Sequence, residues 1–378
     1  MRAVCKHGAM PSAVKAALLA TLAIAGCGNL DDVTTVKDLR VLAVQSEPAG
    51  FLVPLDAPGG ALPQATLTAL VVDPQGQGMT LTFTGVGCPD YLSTLQPLQG
   101  EASRVCPDAA TTAALPPPLD TTLGATTLAS TDMPGQAAPV SAIEYHPQVS
   151  FGLTPAQLGL FFSPTASGDP DLDGAIAYDR DFGMDAIVDL TFQLGSERAR
   201  VLKRVVYWPL LPPAEVPATF TQPQLPNQNP RLVDVQLFRH RDKTTGAPMD
   251  PYPDGAPTLS LSAKDHLYVL PVPAPDAPER YLLRVRNTQT NVVETQDVAR
   301  ELLTYQFYAT AGTFSPDTRQ SELSPILTSI GGRVPIDSEY IPPKATELPA
   351  DGRVTVWVVI RDERAGTSWD NRTFSIAP

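Results

Sequence analysis

Residues 65–72 read Ala-Thr-Leu-Thr-Ala-Leu-Val-Val, and the turn-forming sequence Asp-Pro-Gln-Gly follows them at residues 73–76. Residues 79–84 then read Met-Thr-Leu-Thr-Phe-Thr. The first stretch predicts a strand that ends in a turn. The second alternates apolar residues with threonine, which is typical of a half-buried antiparallel strand because successive side chains point to opposite faces. Together the two stretches favour a β-sheet protein.

Strand-like runs of this kind recur along the whole chain, between turns rich in proline, glycine and aspartate. The 378 residues include 40 prolines, about double the usual proportion, and proline breaks helices and collects at strand ends and turns. We therefore predict an all-β fold of two tandem antiparallel β-sandwiches, with an insertion in the first and a short helix. The predicted strands also include residues 39–44, 185–194, 198–208, 232–237, 258–262, 266–272, 281–286, 302–310, 353–361 and 368–376.

A proline-rich segment divides the chain. Residues 212–230 predict a stiff, extended linker of polyproline character. It separates a first domain, residues 38–211, from a second domain, residues 231–378, that begins with a similar strand pattern. Within the first domain, residues 88–180 are predicted to form the insertion, because much of this stretch is rich in Thr, Ala and Pro and weakly periodic. Residues 154–158, Thr-Pro-Ala-Gln-Leu, predict the start of the short helix, with threonine as the N-cap and proline at the first helical position.

Three segments carry a more particular resemblance. Residues 301–315 form an aromatic strand that runs into a glycine turn, residues 354–362 lead on to Trp369, and residues 36–48 begin the first domain. All three resemble the immunoglobulin-like/PKD-like strands of lipoproteins of myxobacterial type. The resemblance implies that both sandwiches are immunoglobulin-like and that the protein lies in the cell envelope. It implies no activity.

The first 26 residues have the layout of an export signal. Arg2, Lys6 and Lys15 form a basic region without acidic residues, and residues 16–25 form a short apolar run. Ten helical residues at ~1.5 Å each cover roughly half of a ~30 Å hydrocarbon core, so this run is too short for a stable membrane span.

The apolar run ends in Ile24-Ala25-Gly26-Cys27, which resembles the lipobox of bacterial lipoproteins. The resemblance implies a thioether to diacylglycerol on the Cys27 sulfur, with two or three acyl chains such as palmitate holding the mature protein on a membrane. Residues 27–37 would form the tether. By analogy with other Gram-negative lipoproteins, glycine at position 28 indicates the outer membrane. An ordinary signal peptide with a chance cysteine is the alternative.

The mature chain is acidic. The formal charge of the whole chain is −13, and the signal segment carries three positive charges, so the mature part carries −13 − 3 = −16. An acidic chain without a basic patch argues against nucleic acid as a partner. It argues equally against adhesion to anionic lipid by charge.

Two cysteines remain after Cys5 is removed with the signal and Cys27 is lipidated. Cys88 and Cys106 are an even pair in an exported protein, so we predict that they form a disulfide. A metal site is the rival interpretation, but two cysteines without a nearby histidine make a poor one.

One acidic cluster suggests calcium. Asp169, Asp171 and Asp173 precede Gly174 in a D-x-D-x-D-G spacing that would place three carboxylates on one side of a tight loop. The twelfth position, where an EF-hand has glutamate, is Arg180. Ca²⁺ at Asp169, Asp171 and Asp173 is therefore one interpretation, and a solvated acidic turn is the other. The sequence implies no other cofactor.

Enzyme signatures are missing from the sequence. It contains no G-x-S-x-G, H-E-x-x-H, Walker or dinucleotide-binding motif. Tyr305, Phe307, Trp357 and Trp369 could line a sugar or peptide site, but aromatics that alternate on sandwich strands more often form core or cross-strand pairs.

The sequence thus predicts a membrane-anchored envelope lipoprotein that acts as a non-enzymatic scaffold or binding module. Its expected partners are the membrane, through the lipid on Cys27, and an envelope protein or polysaccharide. The alternative is an envelope hydrolase or carbohydrate-active protein with its site in the insertion at residues 88–180.

Overall fold

The structure is a computed structural model. It describes residues 34–54, 64–75, 79–89, 121–128, 142–153, 170–242, 247–252, 258–260, 266–287, 289–321 and 335–377. These residues belong to one compact unit, Thr34–Pro378. The signal segment, the lipobox and Cys27 lie outside the described residues.

The described residues of the first half form two sheets and one helix. Its elements are β1 (Arg40–Glu47), β2 (Gly50–Pro54), β3 (Ala65–Asp73), β4 (Leu81–Pro89), β5 (Thr121–Leu128), β6 (Ile143–Tyr145), β7 (Gln148–Phe151), α1 (Pro170–Phe182), β8 (Met184–Leu194) and β9 (Glu197–Leu210). The β3 sheet has the order β1-β3-β6, with β7 also paired to β3. The β9 sheet has the order β2-β9-β8-β4-β5.

In the second half, the residues that the structure describes form two five-stranded sheets and a two-stranded ribbon. Its elements are a 3-10 helix (Pro213–Glu215), β10 (Leu232–Arg241), β11 (Pro248–Pro251), β12 (Thr258–Ser260), β13 (Leu267–Pro273), β14 (Tyr281–Arg286), β15 (Val293–Val298), β16 (Leu303–Ala309), β17 (Thr313–Ser315), β18 (Thr318–Gln320), β19 (Ser338–Ile341), a second 3-10 helix (Ala345–Glu347), β20 (Arg353–Asp362) and β21 (Thr367–Ala377). The β10 sheet has the order β11-β10-β13-β19-β17, the β20 sheet has the order β12-β21-β20-β16-β18, and β14 pairs with β15.

The predicted all-β sandwich fold is confirmed, because strands form almost all of the regular structure described. The sheets are not purely antiparallel: β2 runs parallel to β9, and β12 runs parallel to β21. The first exception arises because the chain leaves the β3 sheet after β1 and enters the β9 sheet as β2 within two residues, one of which is Pro48. The helix predicted at residues 154–158 lies outside the described residues, and the immunoglobulin-like character of each half stays a prediction.

Each half has its own hydrophobic core between two sheets. The first core joins the β3 and β9 sheets and includes Leu67, Phe192 and Tyr207. The second core joins the β10 and β20 sheets and includes Val269 and Phe307. Each core arises from the alternation of side chains along its strands, which sends every second residue to the same face.

A third apolar cluster, the junction core, joins the two halves. Leu70 and Val72 of β3 point away from the first core, and Trp357 and Val359 of β20 point away from the second. All four side chains are completely buried, and they pack together between the β3 sheet and the β20 sheet. The β3 and β20 sheets are therefore covered on both faces, and the four large sheets are stacked in the order β9, β3, β20, β10.

A buried hydrogen-bonded group lies beside this apolar junction. Glu144 of β6 accepts hydrogen bonds from Trp357 Nε1 and from Asn371 Nδ2, each at 2.7 Å on the same oxygen, Oε1. Glu144 is 9% exposed. Because a buried donor without a partner is costly, this carboxylate fixes how the β3 sheet meets the β20 sheet.

The segment predicted as a stiff, extended linker is held by both halves. Asn229 Nδ2 donates to Ser46 O in the first half at 2.7 Å, and Asn229 Oδ1 accepts from Thr367 N in the second half at 2.9 Å. Asn227 is 1% exposed and donates to Asp362 Oδ2 at 3.2 Å. The connection therefore packs as part of the junction.

The contacts of Glu144 predict a stability effect. Glu144→Leu should lower the free energy of unfolding by about 2–4 kcal/mol, because the buried Trp357 Nε1 and the half-buried Asn371 Nδ2 lose their acceptor. Glu294→Leu is the matched control, because Glu294 is exposed and accepts an amide hydrogen bond from Asn287 at 2.9 Å. Urea denaturation of the two variants measures the difference, and equal losses would show that Glu144 does not hold the junction.

Candidate functional site

A cavity of about 360 Å³ opens beside the junction. Its walls come from both halves and from the connection between them. The lining consists of Leu52, residues 181–182, 208–209, 211, 220, 222–225, 276, 278–282 and 284, and Arg364. The volume lies at the lower end of the ~300–1,000 Å³ range that is usual for small-molecule sites.

Trp208 forms part of the cavity wall because of the alternation along β9. Its neighbour Tyr207 is completely buried in the first core, so Trp208 points to the opposite face. The indole packs on Gly183, where a Cβ atom would lie 2.9 Å from Trp208 Cε3. Gly183 also has a φ of +94°, which side-chain-bearing residues rarely adopt. The turn between α1 and β8 is therefore shaped to seat this indole.

Arg284 on β14 lies at the cavity within an ion-paired cluster. Its Nη2 lies 3.2 Å from Glu215 Oε2, and its Nη1 lies 3.7 Å from Asp181 Oδ1. The Arg284 side chain is 15% exposed. Its Nε and the Nε1 of Trp208 are both buried without a hydrogen-bond partner among the described residues. Two side chains that line the cavity thus each hold a buried N–H donor without a partner among the described residues.

Arg364, which is buried, also lines the cavity. Its Nε donates to Glu301 Oε1 and its Nη2 donates to Glu279 Oε2, both at 2.6 Å. Its guanidinium lies 4.4 Å from the ring centroid of Tyr281. Burial raises the pKa of Glu301 to about 7, against the opposing effect of the hydrogen bond from Arg364. Burial also raises the pKa of the Tyr281 hydroxyl, which donates to Glu363 at 2.6 Å.

A buried lysine supports this region from behind. Lys203 of β9 is 6% exposed, and its Nζ donates to Ala365 O in the turn between β20 and β21 at 2.6 Å. Burial lowers the pKa of Lys203 to about 7, although the charge of Asp362 opposes the shift. Asp362 accepts from Gly366 N at 2.7 Å and from Arg364 N at 2.9 Å, and burial raises its pKa. These contacts hold the turn that carries Arg364.

The charges at the cavity balance. Among the residues that the structure describes, three arginines and three acidic residues line it. Each acidic residue lies within ion-pair distance of an arginine: Asp181 with Arg284, Glu279 with Arg364, and Asp276 with Arg231. Among the described residues, no group of three or more His, Cys, Asp or Glu could hold a metal ion. The arrangement is suited to binding an uncharged ligand with polar groups.

The acidic cluster predicted as a calcium loop has a different structure. Residues Pro170–Phe182 form α1, so Asp171 and Asp173 lie in the first turn of a helix and the tight-loop prediction is wrong. Proline is favoured at the first helical position, and carboxylates in the first turn are favoured by the helix dipole. Asp169 lies outside the described residues. The calcium prediction assumed a tight loop at Asp171 and Asp173, and the structure has a helix there.

The other predicted site residues are distributed as follows. Cys88 lies on β4, and Cys106 lies outside the described residues, so their disulfide stays a prediction. Tyr305 and Phe307 are buried in the second core and Trp357 in the junction core, which confirms their interpretation as core residues. Trp369 packs against the junction core.

The sequence did not single out the aromatic residues that line the cavity in the described part of the chain: Phe182, Trp208, Phe220 and Tyr281. One signal was present. Residues 207–208 place two adjacent aromatics on a predicted strand, and alternation directs one of them away from the core. The other three depend on long-range packing that the sequence does not reveal.

Comparison with known proteins adds little to this picture. No protein-family model and no curated protein matches the chain. Among solved structures, the chain is similar to dimeric latent PorU from Porphyromonas gingivalis at 10% identity and a TM-score of 0.16. The match covers 90% of this chain and 24% of that one, so the chain spans about a quarter of its length. In the part of the chain that the structure describes, no helix is long and apolar enough to cross a membrane.

The packing of the Trp208 indole on Gly183 predicts that alanine substitutions at two glycines differ in their effect on stability. Gly183→Ala should cost about 1–2 kcal/mol for the left-handed backbone, and more for displacing Trp208. Gly174→Ala on α1 is the control, because its new Cβ meets nothing within 4 Å and alanine favours helix by about 0.5–1 kcal/mol. Chemical denaturation measures both. Equal stability of the two variants would show that Gly183 is not required for the packing of Trp208.

Lys203 predicts a pH dependence. As the pH falls from 10.5 towards about 7, the unfolded chain binds a proton at this lysine and the folded chain does not, so folding is destabilised. Stability should therefore rise by several kcal/mol as the pH rises from about 7 to about 9.5, and Lys203→Met should remove that rise. The control is Lys344→Met, because the Lys344 side chain is 83% exposed. A wild-type slope that persists in Lys203→Met would disprove the assignment.

Proposed function

We propose that the protein is a cell-envelope lipoprotein, held on the membrane through lipid on Cys27, and that it acts as a non-enzymatic binding module. Its ligand binds in the cavity beside the junction. The observation that carries the proposal is the pair of buried donors, Trp208 Nε1 and Arg284 Nε, that have no partner among the described residues. A buried donor costs free energy when it is unpaired, and a ligand acceptor would recover that cost.

The chemistry of the lining favours binding over catalysis. General acid–base catalysis needs a carboxyl or imidazole that can exchange a proton with the substrate. Asp181 and Glu279 are engaged by arginines instead, and neither His146, His240 nor His266 lines the cavity. The carboxylates of Asp181 and Glu279 can orient a ligand by accepting hydrogen bonds from it.

The alternative of a hydrolase in residues 88–180 gains no support from the cavity. Of the described residues in that range, none lines the cavity, and the contribution from α1 begins at Asp181. The described strands in that range instead belong to the sheets: β5 pairs with β4, and β6 and β7 pair with β3.

The test uses two exposed apolar residues that differ in position. Leu225 is 59% exposed and lines the cavity, whereas Val233 is 58% exposed and does not line it. A photo-crosslinking residue at position 225 should form a covalent adduct in intact envelopes, and the same residue at position 233 should not. The adduct should decrease in Arg284→Gln, which removes a cavity side chain.

The anchor is tested in the same cells. Cys27→Ser should release the protein from the membrane fraction and abolish incorporation of labelled palmitate, because the thioether needs sulfur. Equal adducts at positions 225 and 233 would refute the cavity as the ligand site. Unchanged membrane association of Cys27→Ser would refute the anchor.

A further inference from the structure

We propose that the ligand of the cavity is a neutral saccharide, bound with one face of a sugar ring against Trp208 and its hydroxyl groups on the polar side chains around it. This inference rests on the proposed function and deepens it by naming the class of ligand. Four properties of the lining support it: its size, its charge balance, its unused hydrogen-bonding capacity and its aromatic surface.

The size of the cavity suits a compact ligand. A volume of about 360 Å³ has room for roughly one or two sugar rings at the small end of ordinary ligand sites. The cavity is lined from two halves of the chain, so a ligand is surrounded on several sides. A long polymer could enter only through a terminal or exposed unit.

The charge balance argues for an uncharged ligand. Arg280, Arg284 and Arg364 are all paired with carboxylates, the first with Asp297. An anionic or cationic ligand would lose its hydration without gaining a free counter-charge, which is unfavourable. A neutral ligand avoids that cost.

The hydrogen-bonding groups call for a ligand that both donates and accepts. Trp208 Nε1 and Arg284 Nε can only donate, so they need acceptors. Carboxylates such as Asp181 and Glu279 can only accept, and each has more lone-pair sites than its arginine uses. A hydroxyl group does both, and a sugar carries several on neighbouring carbons.

A proline-rich peptide fits these groups less well. It would suit the aromatic surface and would offer carbonyl acceptors to the two donors. Proline has no backbone N–H, so such a peptide brings few donors for the carboxylates. Among the ligands compatible with an aromatic wall, a saccharide therefore satisfies more of the lining.

The aromatic surface provides the apolar half of the site. Trp208 and Phe182 line the cavity together with Tyr281. A pyranose ring has one face of C–H groups and a rim of hydroxyls, so it can cover an indole while its rim reaches the polar side chains. Burying that face against an aromatic ring removes apolar surface from water.

The test is titration calorimetry with the lipidated protein, purified in a zwitterionic detergent that contains no sugar. The neutral probes are maltohexaose, cellohexaose, chitohexaose and mannohexaose. Hexagalacturonate is the charged comparator, and hexaproline is the peptide comparator. We expect at least one neutral probe to bind, and to bind at least about tenfold more tightly than either comparator.

Variants locate the binding. Trp208→Ala and Arg284→Gln should each weaken it at least about tenfold, whereas Trp208→Phe should retain part of it because an aromatic face remains. Arg200→Gln is the matched control: Arg200 on β9 is ion-paired with Asp189 on β8 but does not line the cavity, so affinity should not change. Thermal unfolding shows that each variant is folded.

Three results would overturn the proposal: no binding of any neutral probe, tighter binding of hexagalacturonate or hexaproline, or full affinity in a folded Trp208→Ala variant. If an adduct still forms at position 225 in envelopes but no neutral probe binds, the cavity remains the ligand site and only the saccharide assignment fails. If neither occurs, both fail.

Discussion

The burial of β3 and β20 on both faces is the constraint on which the rest of the structure depends. In most sandwiches each strand has one apolar and one solvated face. Here Val71 and Val72 are both completely buried but contact different cores, and so are Val358 and Val359. The two halves therefore share one continuous apolar interior. Their relative position is fixed, and so is the place where β9, the connection and β14 meet to form the cavity.

Apolar contact alone would leave the halves free to settle in several ways, because apolar contact has no direction. Buried polar groups restrict that freedom. Glu144 bonds to two donors across the junction, and Lys203 reaches a carbonyl in the opposite half. If the halves shifted, each of these hydrogen bonds would break and leave a buried polar group without a partner. Two buried groups, Lys203 and Glu301, cost stability near neutral pH, since burial lowers the pKa of Lys203 to about 7 and raises the pKa of Glu301 to about 7.

Local patterns in the sequence predict the strands better than they predict the residues of the cavity. The alternation at residues 302–310 and 353–361 predicts β16 and β20, and Tyr305 and Phe307 share a face opposite to Tyr308 as the pattern requires. The acidic spacing at Asp171 and Asp173 was misleading, because the same spacing is compatible with a helical first turn. Lys203 has a polar side chain on a strand and would be expected in solvent. It is buried because a turn 162 residues away covers it, and such contacts leave no local signal.

The proline-rich connection has a consequence for how the molecule responds to force. It contributes Phe220 and Leu225 to the cavity wall and joins both halves through Asn229. A ligand in the cavity would touch both halves and the segment between them at once. Its binding free energy would then add to the work needed to pull the halves apart, since a ligand stabilises the state that binds it. In the proposed membrane-tethered protein, a ligand in the cavity would stiffen the connection between the two halves.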